Sequence, residues 1–520
     1  MKNLYKSIFL LLLFSVSNSQ INLTPLVVQD NLGNNAPLFY FHQRKVALSS
    51  TGIIMATWTT TITQGGQVVY SLYDNAFGTW TPPVAISNAP FQALQSALAA
   101  DEIGNIHAIW QQKSTSTEKY QIFYSKFNGT SWVTPQKISL QASTIPCEEA
   151  TIEIDSKGNI WVAYNTDGAT APNEFVFARR SLDAGQTWSA TLDTLSKGGE
   201  IGTSIETGRT SFAAGPNGKL VAIWDNSLTG KESRREVFFN QFDGTSWKGA
   251  VRISDVTTID RDHNRYTTVA VDSDGNIYAI YVASIINASD ARPKRVLLHK
   301  KSWDADWSNQ TSVIHLDSNV NQGSPSALCD KNGVLHLTFR IDVKADLTYL
   351  LDEVVYTFSK DKGLSWKEPI VISRNLRDAN YVTIANRITV GGGINILWRE
   401  SRDINKNDQD TTAVVYANIP YSYVTKVKEN EIPISYLFLS NYPNPFNSET
   451  IINYQLTTKS KVTLKIFDLL GREISTLVNE TKEMGNYKVK FSANKFAGGI
   501  YFAQLKTENK ILIHKMVFAK

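Results

Sequence analysis

Ser181-Leu-Asp183-Ala-Gly185-Gln-Thr187-Trp188 is the stretch on which the fold turns. It follows the apolar run Phe175-Val-Phe-Ala178 and precedes a second extended segment, so it reads as a hairpin turn. Asp183 is placed to accept backbone N–H groups within the turn, and Gly185 supplies the residue with positive φ. Thr187 resumes the strand, and Trp188 drops a ring beneath the turn, where about 150–250 Å² can be buried. Ser359-Lys-Asp361-Lys-Gly363-Leu-Ser365-Trp366 repeats the pattern at the same spacing.

Working outward, a larger module recurs: an apolar strand, a Gly-containing turn, and a second apolar strand ending in an aromatic. Its clearest copies are Gly104-Asn-Ile-His-Ala-Ile-Trp110, Gly158-Asn-Ile-Trp-Val-Ala-Tyr164 and Gly275-Asn-Ile-Tyr-Ala-Ile-Tyr281. The turn glycines fall at 52, 104, 158, 218, 275, 333 and 393, a period of 52 to 60 residues. That period suits a four-stranded blade with one variable loop. The first six copies add a third strand and a turn, as in Asn128-Gly-Thr-Ser-Trp132 and Asp243-Gly-Thr-Ser-Trp247, then a short fourth strand. In these two turns Phe127 and Phe242 occupy the place of the aspartate. The seventh copy stops after Ala413-Val-Val-Tyr-Ala417. Asn22-Leu-Thr-Pro-Leu-Val-Val28 resembles the fourth strand of the first copy, Trp80-Thr-Pro-Pro-Val-Ala-Ile86. The expectation is an all-β, seven-bladed β-propeller over 20–422, closed by its N-terminal strand so that no sheet edge stays open.

The Ser181 and Ser359 stretches resemble the Asp-box (BNR) repeats of the sialidase-like β-propellers. Ser181, Asp183, Gly185 and Trp188, with Ser359, Asp361, Gly363 and Trp366, fit the box position by position. The resemblance implies that the boxes are structural and face away from an active site.

Past residue 422 the repeat frame ends, and 423–433 reads as a polar linker. Then come Tyr442-Pro-Asn-Pro-Phe-Asn447 and alternating strands such as Val462-Thr-Leu-Lys-Ile-Phe467 and Ile500-Tyr-Phe-Ala-Gln-Leu505. The period of two predicts a small immunoglobulin-like β-sandwich over 434–520. With Asp468, Gly471-Arg472, Gly499-Ile-Tyr501 and Lys515, this segment resembles the type A C-terminal sorting domain of the type IX secretion system of Bacteroidetes-like bacteria. Ser448 departs from the proline many members carry. The resemblance implies a partner, the secretion machinery, and release or surface attachment once the tail is removed.

The start of the chain fits export. Lys2 and Lys6 precede Ile8-Phe-Leu-Leu-Leu-Leu-Phe14 and the small residues Ser17 and Ser19, a signal peptide over 1–19. Its apolar run is too short to span a membrane, and no later run suffices. Cys147 and Cys329 are the only cysteines among 520 residues and fall in different repeats, which predicts two lone thiols. Aromatics make up 11% and charged residues 19%, below the charged fraction of about 25% in an average soluble protein. A net charge of +4 without a basic patch argues against nucleic acid. No cofactor and no metal are expected. Asp272-Ser-Asp274-Gly275-Asn276 lacks the closing glutamate of a calcium loop and reads as a plain turn. A secreted or surface monomer with an extracellular glycan or a surface protein as its ligand is the expected setting.

In a propeller the loops between blades and those between second and third strands share one face, and variable polar residues gather there. The mouth residues read in order are His42, Arg44, Gln95, Glu148, Glu149, Glu206, Arg209, Asp262, His263, Arg265, Tyr266, Gln322, Arg377, Asp378 and Tyr381. Gln111, Asp225, Arg340, Arg399 and Glu400 join them from the other loops. Arginines around one mouth could grip a carboxylate bidentately, so Arg44, Arg209, Arg265, Arg340 and Arg399, with Glu148, Glu206, Asp378 and Tyr381, are the ligand-binding candidates. His263, Tyr266 and Asp262 are the acid–base candidates. The opposing reading is that Arg–Glu pairs merely tie neighbouring blades together. His107 and His336, set in apolar alternation, read as ordinary strand residues. The Arg-Ile-Pro motif of sialidases is absent; Phe339-Arg340-Ile341-Asp342 is the nearest string. Seven-bladed polysaccharide lyases use His, Tyr and Arg on uronic acids, a set that His263, Tyr266 and Arg265 would fit. Three readings stand: a glycan-binding and possible glycan-processing propeller, a glycosidase or lyase on acidic sugars, and a non-catalytic adhesion scaffold.

Overall fold

In the computed structural model the described residues run from 25 to 519, omitting 31, 33–37, 39–42, 63–64, 88–90, 167–174, 197–208, 229–230, 255–263, 285–293, 308–310, 315–320, 345–349, 375–377, 389–392, 402–411, 427–437, 443–445, 457–458, 484 and 508–510. The signal peptide expected over 1–19 lies outside them. The chain divides into two units, Met1–Val427 and Lys428–Lys520.

Among the described residues of the first unit, the regular structure is antiparallel sheet apart from one 3-10 turn and the short helix Tyr421–Lys426. Seven sheets follow one another, with first strands at Val46–Leu48, Ala93–Ala100, Cys147–Ile154, Ser211–Ala214, Asn264–Val271, Gln322–Cys329 and Asp378–Ile384. In the first six, consecutive strands pair as a meander, the strand order that the period predicts for propeller blades. The fourth strand of the seventh sheet is Leu26–Gln29, which pairs with Thr412–Ile419 so that Leu26 faces Tyr416 and Val27 faces Val415.

Second strands are buried on both faces, which is why they read as near-continuous apolar runs; Ile106–Gln112 and Ile160–Thr166 are buried throughout. Their terminal aromatics, Trp58, Trp110, Tyr164, Trp224, Tyr281, Phe339 and Trp398, are fully enclosed. Hydrogen bonds also cross from sheet to sheet. Lys45 N donates to Thr383 Oγ1 (3.4 Å), Leu98 N to Arg44 O (2.8 Å), Ala327 N to Thr268 Oγ1 (3.2 Å) and Ile384 N to Ser326 Oγ (3.1 Å).

The two box turns act as stitches between sheets. Asp183 Oδ1 accepts from Ser181 Oγ and Thr187 N at 2.8 Å each, and Gly185 N donates to Ser181 Oγ at 2.9 Å. Trp188 packs edge-on against Tyr124 of the preceding sheet, with centroids 5.1 Å apart. Asp361 repeats these bonds with Ser359 and Ser365. In the other two turns the acceptor moves one residue along: Asn128 and Asp243 accept the backbone N–H groups of Thr130 and Ser131, and of Thr245 and Ser246. Asp272 accepts from Asp274 N, Asn276 N and Tyr278 Oη, so its carboxylate is spent inside the turn. Cys147 and Cys329 are both free thiols, and burial pushes each up to about 12.

The second unit has a three-stranded sheet (Phe438–Tyr442, Glu449–Leu456, Gly485–Ser492) and a four-stranded one (Glu473–Lys482, Ser460–Asp468, Gly499–Lys506, Ile511–Phe518). Both contribute to one core that includes Ile452, Tyr454, Leu464, Ile466, Phe491, Leu505 and Phe518.

Candidate functional site

The site begins with a local irregularity in the first strands. Pairing with the second strand shifts register between Leu94 and Ala97, Glu148 and Thr151, Arg265 and Thr268, Gly323 and Ser326, and Asn380 and Thr383. At each shift one residue holds a positive φ: Gln95 (56°), Glu149 (54°), Tyr266 (62°), Ser324 (49°) and Tyr381 (54°). None is glycine, so the left-handed conformation carries steric cost five times over. Such bulges re-aim a side chain and collect at sheet ends. Alternation and spacing carry no sign of a bulge, so sequence reasoning named Gln95, Glu149, Tyr266 and Tyr381 for position alone and missed Ser324.

Around these bulges a polar band runs from the third sheet to the seventh. Arg209 Nε lies 3.8 Å from Glu149 Oε1, and its guanidinium stands 5.7 Å from the Tyr266 ring centre. Asn165 Nδ2 donates to Glu149 Oε2 (3.2 Å), and Glu149 N donates to Gln111 Oε1 (3.2 Å). Tyr266 N donates to Asp225 Oδ2 (3.3 Å), while the other oxygen of Asp225 receives Arg235 Nη1 (3.2 Å). Next comes Arg340, bonded to Asp352 (2.6 Å) and Asp342 (3.2 Å). Burial opposes its charge, yet Asp352, Asp342 and Tyr266 together raise its pKa. Asp352 N donates to Asp378 Oδ1 (3.2 Å). Burial, with Asp378 and Asp342 alongside, pushes the Asp352 carboxyl up to about 7 against the pull of Arg340. Arg399 lies over Tyr381 at 5.8 Å, and Glu400 takes Arg374 (2.6 Å) and Trp398 Nε1 (2.9 Å).

Of the nominated residues, the structure brings Glu149, Arg209 and Tyr266 together, and likewise Arg340 with Asp378. Tyr381 and Arg399 form a third pair. Gln322 accepts Val296 N and helps hold the fifth and sixth sheets. Glu148 is half-buried and, after burial itself, contributes to pushing Tyr120 up to about 12. Arg265 is half-buried beside Tyr266 at the bulge. Arg44 goes elsewhere: it is bonded to Glu153 at 2.6 Å and lines a cavity of about 280 Å³ among the Gly-containing turns at the other ends of the first strands. His42, Glu206, Asp262, His263 and Arg377 lie outside the described residues. Each of Arg44, Arg209, Arg235, Arg340 and Arg374 has an acid of its own. Among the described residues no cluster of metal-ligating side chains occurs, and no helix is long and apolar enough to cross a membrane.

Comparison with curated protein sequences gives no match. Among solved structures, the chain is similar to a protein of unknown function from Dyadobacter fermentans at 13% identity, covering 64% of this chain and 98% of that one (TM-score 0.43). It is similar to an alpha-L-arabinanase from Penicillium chrysogenum complexed with arabinobiose, at 12% identity over 63% and 93% (TM-score 0.44). The polysaccharide lyase Uly1 aligns at 11% identity over 74% and 91% (TM-score 0.48). These likenesses are too loose to bear on what the chain does. Residues 440–519 match the secretion system C-terminal sorting domain. The chain is thereby directed, through the type IX secretion machinery, to the cell surface or the surrounding medium.

Proposed function

We propose that the seven sheets are the blades of one closed propeller, and that its bulge-lined mouth binds an extracellular glycan. Closure is supported by Leu26–Gln29 completing the seventh sheet and by a hydrophobic core shared between the first and seventh: Val46, Trp58 and Trp80 with Leu397, Val414 and Tyr416. The 280 Å³ cavity supports it too, since Arg44, Ala100, Glu153, Ala213, Ala270, Leu328 and Asn386, which lie in or next to the first strands of the seven sheets, line it together.

Glycan binding rests on one observation, the band Glu149–Arg209–Tyr266–Arg340 with Tyr381 and Arg399 beyond it. Sugars present hydroxyls on an otherwise apolar ring, and they are held by fixed hydrogen-bonding groups next to aromatic faces. Rings locked by bulges and backed by arginines are preorganised for this. The pairing of Arg209 with Glu149 and of Arg340 with Asp352 and Asp342 argues against a site in which these two grip a carboxylate. Neutral sugars are therefore favoured over acidic ones.

A second reading, glycan cleavage, is favoured by Asp352 alone: a carboxyl held near 7 can give and take a proton at neutral pH. A glycan array and a polysaccharide depolymerisation screen with the mature chain test both. Arg209→Ala and Tyr266→Ala should each weaken array binding at least tenfold, and Asp352→Asn should abolish any turnover. Binding untouched by both mouth variants, or a folded chain that binds no glycan, overturns the reading in favour of a protein-presenting scaffold.

A further inference from the structure

The same turn occurs in both units with different cargo. In the first unit, Asp-x-x-Gly turns join first to second strands: Asp155-Ser-Lys-Gly158, Asp272-Ser-Asp-Gly275 and Asp330-Lys-Asn-Gly333. In each, the aspartate Oδ1 accepts two backbone N–H groups and the glycine takes a positive φ. In the sorting domain the turn is Asp468-Leu-Leu-Gly471. Asp468 Oδ1 accepts from Leu470 N (3.0 Å) and Arg472 N (2.9 Å), Oδ2 accepts from Arg472 Nε (2.7 Å), and Gly471 has φ 77°. Three turns show that Ser-Lys, Ser-Asp or Lys-Asn serves this geometry equally well, so the leucines are not needed to make it. They are not core residues either: Leu469 is 66% and Leu470 78% exposed. One counterpart, Ile103 in Asp101-Glu-Ile-Gly104, is similarly exposed, but no other copy carries two apolar residues.

Two leucines on a turn clamped by five hydrogen bonds are a rigid apolar prong (the remaining two are Asp468 N to Arg472 O and Gly471 N to Asp468 O, both 3.0 Å). The domain around them is basic: residues 434–520 hold 12 lysines and arginines against 6 aspartates and glutamates. The whole chain has a surplus of only +4, so residues 1–433 are net acidic. We propose that Leu469 and Leu470 are the contact by which the type IX machinery reads this tail, inserting into an apolar pocket with an acidic rim on a machinery protein. Preformed turns of this kind spare the partner the entropy of ordering a loop, and burying two leucines supplies most of the contact. The charge surplus speeds encounter and sets orientation.

The test uses the full chain in a host that has the secretion system, with surface-plus-medium and periplasmic fractions measured by immunoblot. Leu469→Ser with Leu470→Ser should lower the exported fraction at least tenfold and leave the chain in the periplasm. Leu469→Met with Leu470→Met, which keeps apolar area, should export normally. Both purified variants should unfold within about two degrees of the parent, since neither side chain is packed. Normal export of the serine pair overturns the proposal, as does equal failure of the methionine pair in a chain that unfolds like the parent.

Discussion

Nε2 of His336 lies 3.2 Å from Oδ2 of Asp330, the separation also found between His107 and Asp101 four sheets earlier. On the other side of each ring, Nδ1 meets a tyrosine hydroxyl, Tyr356 at 2.7 Å and Tyr124 at 2.8 Å. Each aspartate opens an Asp-x-x-Gly turn, and six residues on its carboxylate meets the second strand again. Tyr278 and Trp161 make that contact in two further sheets. Both histidines are fully buried, so they lock the turn onto the blade and touch no ligand. Tyr421 adds a second donor to Asp330 and so ties the helix Tyr421–Lys426 to the sixth sheet.

Burial lowers the pKa of both histidines, more than their aspartates raise it. The unfolded chain then binds protons near the ordinary value of about 6.5 that the folded chain refuses, so stability rises with pH across that value. It is fully present above about 7 and is lost as pH falls below 6.5. Asp101, held at about 2 by His107 and Asn105 against burial, adds a loss below about 4. Thermal unfolding should show the midpoint dropping between pH 7 and 5, and His107→Gln with His336→Gln should flatten that slope while lowering stability at pH 7 by about 2–4 kcal/mol. An unchanged slope in the double variant would mean other groups carry it.

Gly185 and Gly158 share nearly the same φ, 85° and 82°, but differ in surroundings. A Cβ at Gly185 would lie 1.8 Å from Tyr124 Oη, and one at Gly158 would meet nothing within 4 Å. Gly158→Ala should therefore cost about 1 kcal/mol, the conformational term alone. Gly185→Ala should cost about 3 kcal/mol or more, because Tyr124 must leave its place between the box and His107. Urea midpoints of the two variants make the comparison, and equal losses would show that the stitch is dispensable.

The module, its period and the box turns were legible because each is written in local chemistry: Gly185 for positive φ, Asp183 for a carboxylate within reach of three donors, and period-two burial. The sorting tail was legible for the same reason, through Asp468, Gly471 and Arg472. What could not be read was set by tertiary packing. Tyr266 and Glu149 occupy a left-handed conformation that neither residue favours, so no residue choice announces it. Arg44, two residues before the strand Val46–Leu48, resembles its mouth counterparts in sequence, but Glu153, 109 residues on, draws it to the cavity among the Gly-containing turns. His107 and His336 do behave as strand residues, though their aspartate and tyrosine partners follow from register and not from alternation.

Asp352 should be a liability at neutral pH. Its folded pKa of about 7 stands above the unfolded value of about 3.9, so the stability tied to its proton is present at low pH and lost as pH rises through 7. Asp352→Asn keeps an acceptor for Arg340 and removes the repulsion with Asp378 and Asp342. At pH 8 the variant should be at least about 1 kcal/mol more stable than the parent, and the two should converge only below about pH 4, where Asp352 is protonated in the folded and the unfolded chain alike. Denaturant titrations at both values decide it; a variant weaker at both would make the Arg340 ion pair the dominant element.

If the ring is closed, its weakest seam is the pairing of Leu26–Gln29 with Thr412–Ile419, because there the two partners come from opposite ends of the unit. Val27 and Val415 face each other across an antiparallel ladder, where Cα atoms stand about 4.5–5.5 Å apart, within disulfide reach. Val27→Cys with Val415→Cys should oxidise without added strain and raise the unfolding midpoint, since the bridge closes a loop of nearly the whole unit. Cys147 and Cys329 are buried or half-buried thiols with raised pKa and should not compete. Removing residues 1–30 is the reciprocal change: it strips the edge from Val414 and Tyr416, exposes a full unpaired strand, and should make the chain aggregate relative to the parent on size-exclusion chromatography. A truncated chain that elutes as the parent does and is as stable would mean the seam contributes nothing, and with it the closed ring would fall.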